Sequence, residues 1–381
     1  MKWKCKCSDP FYNPANKVRT YFGEKIALYF EYICFYSKFL FWTGFFGTLV
    51  LVLQYIGDSD DSDDMTLTVT VFNALYMLVA VLWSTMFFEF WKRKENKRAI
   101  EWGQTDFEED EVVRPAFQGI RRRSPVDDSM NDLWFPPVKR RFRQGIGYLI
   151  SIVILCIVIG TVAAILYLRY WLTEKYKDQS DTIFYKAIPS LCSTINAIQI
   201  VIFNMIYNKV ALWLTKWENQ RTQSEFEASL ISKTFLFQFV NSFNSLFYMA
   251  FIKRSVEGCL ERGVRSRLNS CGGELRNQIT IIFIVAVLKN FMEIGLPLAL
   301  NWLRKRKLDK QRDALASMNK EEQLRFRVEQ ENALSKYESL EVDGTYADYI
   351  EMMVQYGYVI LFSVGFPMAP VLACINNVVE V

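Results

Sequence analysis

The feature that most constrains this chain is a series of long apolar runs separated by strongly charged stretches. A helix needs about 20 consecutive apolar residues to cross a bilayer. Runs of that length recur along the chain, and each is too long for a buried strand. The sequence therefore predicts an all-α, polytopic transmembrane helix bundle with seven spans and part of an eighth. The seven spans are Ile26–Ile56, Leu67–Phe90, Ile146–Leu168, Ile183–Trp213, Phe235–Ile252, Ile279–Leu303 and Tyr349–Phe366.

The eighth apolar run follows Pro370 and stops at Val381, after eleven residues. That is about half the length that a span needs. We therefore expect the chain to be a fragment of a longer protein, and a short re-entrant tail is the alternative interpretation. Residues 1–25 are predicted to be a cytosolic amino-terminal segment, and residues 26–381 an incomplete transmembrane domain.

Lys and Arg beside the spans predict the orientation, because cytosolic loops carry an excess of positive charge. Loops 92–143 and 304–345 open with such clusters and are predicted to be cytosolic, as is the amino terminus. Loop 253–278 is also basic, but the parity of the spans places it outside. Cys259 and Cys271 lie in this loop, where a disulfide could persist. That pair suits the plasma membrane or another secretory-route membrane.

The composition excludes several classes of function. The chain has no His, which rules out Ser-His-Asp and Cys-His catalysis and His-ligated zinc. Its net charge of +4 is too small to indicate nucleic-acid binding. No nucleophile–base arrangement or phosphate-binding loop is visible, so the sequence does not predict an enzyme.

Carboxylates inside the spans are the strongest functional signal, because an ionisable group in a membrane is costly. Asn290 and Glu293 share a face of the sixth span, Asp348 and Glu351 share a face of the seventh, and Glu380 lies in the eighth. If these helices meet, oxygen ligands without His favour a hard cation, with calcium ahead of magnesium. Two simpler explanations stay open. The seventh-span pair could lie at the water interface, and Glu293 could pair with Lys289 one turn earlier.

Several segments of the chain resemble the anoctamin family of calcium-activated chloride channels and phospholipid scramblases. The match is strongest across Lys209–Lys253, which includes ENQRTQSEFE at Glu218–Glu227, and a further match is FPMAP at Phe366–Pro370. The other matching segments are Phe11–Pro14, Val18–Phe30, Phe90–Arg93, Phe291–Gly295, Tyr349–Met352 and Asn376–Glu380. The resemblance thus runs from residue 11 to the end, and it implies that an amino-terminal cytosolic domain and the last helices are missing.

The resemblance implies two calcium ions bound between the sixth, seventh and eighth spans. Glu293, Asp348, Glu351 and Glu380 then occupy ligand positions. Lys289 stands where the family has a neutral Asn. Its ammonium could weaken calcium binding by repulsion, or it could point away and leave Asn290 as a substitute ligand.

The resemblance also implies a groove lined by the third to seventh spans, membrane lipids and small ions as partners, and a homodimer in the full-length protein. Chloride-selective members tend to carry Lys where this chain has Gln238, so Gln238 favours lipid scrambling or poorly selective conduction. Other polar residues of the fourth and fifth spans form either a track for headgroups or hydrogen bonds between helices. They are Asn196, Gln199, Asn204, Asn241, Ser242, Asn244 and Ser245.

Two functions follow as hypotheses. The first is a calcium-gated transmembrane conduit that conducts chloride or poorly selected ions, scrambles phospholipids, or does both. The second is a non-conducting membrane tether or trafficking protein whose calcium site is degenerate at Lys289.

Overall fold

The computed structural model describes residues 15–59, 63–105, 111–123, 131–177, 182–256, 271–309, 319–332, 345–363 and 365–380. Helices dominate these residues, as the apolar runs predict. In chain order they are α1 Ala15–Phe22, α2 Glu24–Ser59, α3 Asp63–Trp102, α4 Pro137–Lys175, α5 Ile183–Glu218, α6 Gln223–Phe247, α7 Lys253–Val256, α8 Cys271–Asp309, α9 Lys320–Asn332, α10 Thr345–Leu361 and α11 Ala369–Glu380. A π-helical turn, Tyr248–Ile252, joins α6 to α7.

Six of these helices, namely α2, α3, α4, α5, α6 with its extension, and α8, are long and apolar enough to cross a membrane. Their apolar side chains face outward to an extent that water would not favour. Only 17% of the most apolar 18-residue stretch of α4 is buried within the bundle. Phe45 of α2, Leu82 of α3 and Ile152 of α4 are likewise exposed. A broad apolar exterior of this kind fits contact with lipid.

The six membrane-capable helices are longer than the apolar runs that predicted them, whereas the predicted seventh span, Tyr349–Phe366, corresponds to the 17-residue helix α10, which ends at Leu361. At about 1.5 Å per residue, a helix of 36 residues such as α5 measures about 54 Å, well beyond the roughly 30 Å of a hydrocarbon core. α3 continues through its basic end to Trp102, and α6 begins at Gln223 rather than Phe235. The predicted loops are correspondingly shorter, because a polar sequence can continue a helix once it leaves the membrane.

A two-stranded antiparallel hairpin, which the sequence did not predict, lies in the predicted cytosolic loop 92–143. Strand β1, Ile120–Arg123, pairs with β2, Asn131–Trp134. Arg221 at the turn between α5 and α6 donates to Asp132 at 3.0 Å, and Asn219 exchanges two hydrogen bonds with the backbone of Gln118. The hairpin is thereby fastened to the end of the bundle where α5 ends and α6 begins.

An aromatic cluster joins α2, α3 and α10 in the core. The ring of Phe87 lies 5.3 Å from that of Tyr36 and 5.7 Å from that of Tyr356, measured between centroids. The hydroxyl groups of Ser84 and Tyr356 are 2.7 Å apart. These contacts hold α10 against the bundle, and α10 carries Asp348 and Glu351.

The two halves of α8 differ in packing. Leu275, Ile279, Ile282 and Phe283 belong to the core, and Asn290 is also buried. The described large hydrophobic residues that follow are all exposed: Phe291, Met292, Leu296, Leu298, Leu300, Trp302 and Leu303. The helix continues through Gly295 and Pro297 to Asp309. Lys289 and Glu293 therefore lie where the packed half of α8 gives way to the exposed half.

Candidate functional site

A cavity of about 330 Å³ lies between α5, α6, α8, α10 and α11. Its wall is partly polar although the helices around it are largely apolar. Each helix contributes at least one polar side chain. These are Asn204 and Asn208 from α5, Gln238 and Ser242 from α6, Lys289 and Glu293 from α8, Asp348, Glu351 and Gln355 from α10, and Asn376 from α11.

The charged part of the cavity is centred on Lys289. Its Nζ donates to Glu351 Oε2 at 2.6 Å and lies 3.9 Å from Glu293 Oε2. Glu293 is one helical turn further along α8, whereas Glu351 belongs to α10. The ammonium is thus placed between carboxylates of two different helices, and Asp348 lines the same cavity.

Buried amides lie beside these charges. Asn290 donates from Nδ2 to Asn376 Oδ1 at 3.2 Å, which joins α8 to α11. Asn377 is fully buried, and neither of its amide atoms has a hydrogen-bond partner within the described part of the chain. Burying an unpaired amide costs free energy. The hydrogen-bonding capacity of the Asn377 amide in α11 is therefore not satisfied by the described residues.

The polar residues of α5 and α6 bond to one another. Gln199 Nε2 donates to Asn241 Oδ1 at 3.0 Å, and Asn241 Nδ2 donates to Asn204 Oδ1 at 2.8 Å. Asn196 Nδ2 likewise donates to Ser245 Oγ at 3.0 Å. We call this row of hydrogen-bonded side chains the α5–α6 seam. The sequence left open whether these residues form a track for headgroups or hydrogen bonds between helices, and the contacts show hydrogen bonds between helices. Asn204 also faces the cavity, so one end of the seam contributes to its wall.

The structure brings most of the predicted ligand residues together. Glu293, Asp348 and Glu351 line one cavity, and Asn290 lies next to it, bonded to α11. Glu380 is the last residue of α11, and its side chain lies outside the described part of the chain. Cys259 also lies outside the described residues, and Cys271 is the first residue of α8. The disulfide between them stays a prediction.

These residues do not fit a calcium ion as they are arranged. Calcium binds carboxylate oxygens at about 2.3–2.6 Å, and Lys289 Nζ is already 2.6 Å from Glu351 Oε2. A calcium ion there would lie beside the Lys289 ammonium, whose repulsion opposes the attraction of the carboxylates. Among the residues that the structure describes, no three Asp, Glu or Cys side chains are grouped to hold a metal.

Comparison with known proteins identifies the family. A family model described as "Anoctamin: Calcium-activated chloride channel" matches residues 18–381. The chain belongs to the anoctamin family. It is 31% identical to anoctamin-5 of Homo sapiens over 97% of its own length and 46% of that relative. The corresponding values are 30%, 97% and 44% for anoctamin-7 of Homo sapiens, and 31%, 97% and 43% for anoctamin-4 of Mus musculus.

Membership of the anoctamin family and the six membrane-capable helices establish an integral, multi-pass membrane protein of the plasma membrane or another secretory-route membrane. The chain spans somewhat less than half the length of these anoctamins. The fold class and the family that the sequence predicted are both confirmed.

Gln355 and Asn208 in the cavity wall, and the pairing of Lys289 with Glu351, were not predicted from the sequence. Gln355 lines the cavity one turn after Glu351, and the spacing of four residues on a helix could have indicated it. Local spacing gave no signal for the pairing of Lys289 with Glu351, because the two residues are 62 positions apart.

Proposed function

We propose that this chain forms a transmembrane conduit of the anoctamin type, which passes chloride or other small ions, phospholipids, or both. The conduit is a groove walled by α4, α5, α6, α8 and α10. The observation that carries the proposal is the polar cavity between α5, α6, α8 and α10 inside an apolar, lipid-facing bundle. Polar and ionisable side chains facing the interior of a membrane bundle typically mark an ion or substrate pathway.

The cavity wall predicts weak ion selectivity. Gln238 on α6 contributes a neutral amide, bonded at 3.4 Å to Asn208 of α5. The described charges on the wall are one ammonium and three carboxylates, so neither sign of ion meets a uniform ring of opposite charge. Amide groups can both donate and accept hydrogen bonds, which suits an ion's hydration shell and a lipid headgroup equally.

Control of the conduit is proposed to lie at α8. The half of α8 that follows Asn290 is exposed, and Lys289 and Glu293 lie at its beginning. The two proposed states of the conduit differ in the position of α8 relative to α10. A contact at this point that is more favourable in one state shifts the equilibrium toward that state, by as much as its free energy differs between the two. The family description includes activation by calcium. Because the residues present do not fit calcium, no step of this proposal depends on the ion, and the ligand set stays a prediction.

The test is reconstitution of the full-length protein into liposomes. Chloride efflux and exchange of a fluorescent lipid between leaflets would be measured with calcium and with a chelator. The proposal predicts at least one activity above that of protein-free liposomes. Absence of both activities under both conditions, from protein shown to be folded, would contradict it. That result would instead favour the alternative, a tether or trafficking protein. Cross-linking of the same preparation would test the predicted homodimer.

A further inference from the structure

We infer that Lys289 is a tethered counter-cation that takes the place of a calcium ion at the carboxylates of α8 and α10, so that calcium is not required at this site. The part of the inference that concerns transport rests on the proposed conduit. The part that concerns calcium binding stands independently, because it depends only on the cavity and its charges.

The position of the ammonium is the first argument. Its contacts with Glu351 at 2.6 Å and Glu293 at 3.9 Å place one positive charge between carboxylates of α8 and α10. A bridging divalent ion would need the same oxygens to make the same link. Since the ammonium is covalently attached, its local concentration is independent of the calcium concentration in solution.

The buried amides are the second argument. Asn290 would be the substitute ligand if Lys289 pointed away, but Asn290 is 4% exposed and bonded to Asn376 of α11. Lys289 points toward the cavity that Glu351 and Asp348 line. The arrangement therefore uses Asn290 to join α8 to α11 and Lys289 to join α8 to α10. Both links are direct contacts between side chains and need no metal ion between them.

The location along α8 is the third argument. Lys289 lies where the packed half of the helix ends and the exposed half begins. An ion pair at that boundary holds the start of the exposed half toward α10. In a conduit whose state depends on this half of α8, a permanent cation would hold the same state with or without calcium.

Two measurements on the purified full-length protein test the inference. Calcium affinity would be measured by isothermal titration calorimetry. Chloride efflux and lipid exchange would be measured in liposomes, once with calcium and once with a chelator. The variant is Lys289→Asn, which replaces the ammonium by a neutral amide. Lys289→Arg keeps the positive charge, and Lys25→Asn controls for loss of an exposed lysine that pairs with Glu227 away from the cavity.

The inference predicts that wild type, Lys289→Arg and Lys25→Asn bind calcium weakly and transport equally with and without it. Lys289→Asn is expected to bind calcium at least about tenfold more tightly, because the repulsion is gone. Its transport should then increase with calcium. If Lys289→Asn does not fold, Lys289→Gln replaces it, since that side chain keeps most of the length of lysine.

Equal calcium affinity in wild type and Lys289→Asn would overturn the inference, as would strong calcium-dependent transport by the wild type. A lack of transport in every variant, together with the predicted difference in calcium affinity, would contradict the proposed conduit and leave the assignment of Lys289 intact. The calcium-binding measurement therefore tests the role of Lys289 even if the transport measurement contradicts the proposed conduit.

Discussion

Lys233 and Glu218 form an ion pair without exposed side-chain surface where α4, α5 and α6 meet. Lys233 Nζ is 2.8 Å from Glu218 Oε1 and 2.6 Å from Ser229 Oγ. Gly147 of α4 lies so close that a Cβ there would be 2.7 Å from Glu218 Oε1. Neither charge can reach water, so each depends on the other for its stability in the bundle.

Removing one charge of this pair is predicted to destabilise the protein strongly. Glu218→Gln leaves the ammonium of Lys233 buried without its counter-charge, which typically costs about 3–5 kcal/mol. The free energy of unfolding would be measured by titration with a denaturing detergent. The matched control is Glu227→Gln, whose partner Lys25 is 58% exposed, and there the expected loss is below about 1 kcal/mol. Similar losses of unfolding free energy in Glu218→Gln and Glu227→Gln would contradict the conclusion that the Lys233–Glu218 pair is buried and mutually dependent.

At the scale of residues, the sequence pointed to the charged side chains that line the cavity but to only some of their partners. Glu293, Asp348 and Glu351 were recognised because a carboxylate inside an apolar run stands out. The contact between Lys289 and Glu293 was recognised because the two are one turn apart. The closer contact with Glu351 was not, because it depends on how α8 and α10 pack, and local spacing carries no information about that.

Close helix packing in this protein depends on glycine at particular positions. A Cβ on Gly47 of α2 would overlap the carbonyl oxygen of Pro367, in the turn before α11, and would lie 2.8 Å from the hydroxyl of Tyr76 on α3. Only glycine allows these three segments to approach so closely. Gly160 of α4, in contrast, has no atom within 4 Å of the position of a Cβ.

These two glycines give a paired prediction at the scale of elements. Gly47→Ala would push α2 away from the turn before α11 and is expected to cost about 1–3 kcal/mol, as overpacking does. Gly160→Ala should be neutral or stabilise the protein by up to about 1 kcal/mol, because alanine favours a helix over glycine. Thermal unfolding in detergent would compare the two. A neutral Gly47→Ala would show that α2 and α11 are less tightly packed.

The helices themselves were predictable, whereas their ends were not. The length of an apolar run follows from the thickness of the bilayer, so six of the seven predicted spans lie in helices long enough to cross a membrane. The predicted seventh span extends to Phe366, whereas its helix α10 ends at Leu361. The polar ends of α3 and α8, the β1–β2 hairpin and the π-helical turn Tyr248–Ile252 were not predicted. Outside the membrane no such length constraint applies, and tertiary contacts such as Arg221 with Asp132 decide the local structure.

At the scale of the whole molecule, the bundle combines an apolar exterior with one polar cavity among the described residues that is bordered by five helices. The aromatic cluster fixes α10, and the α5–α6 seam fixes two further walls. The exposed half of α8 borders the cavity through Glu293, and the described large hydrophobic side chains of this half are exposed. In the proposed conduit, this half of α8 would be the part with the least packing to hold it in place.

The claim that the cavity lies on the permeation path is tested most directly at Gln238. In Gln238→Lys an ammonium replaces a neutral amide of the wall, which attracts anions by about 1 kcal/mol or more at 4 Å. The reversal potential of the full-length protein would be measured across a bilayer with a potassium chloride gradient, with Gln238→Asn as the neutral control.

The account predicts that Gln238→Lys raises the permeability ratio of chloride to potassium about fivefold or more, whereas Gln238→Asn leaves it unchanged. Currents through wild type and both variants with the same reversal potential would contradict the account, because the ions would then be crossing without passing Gln238.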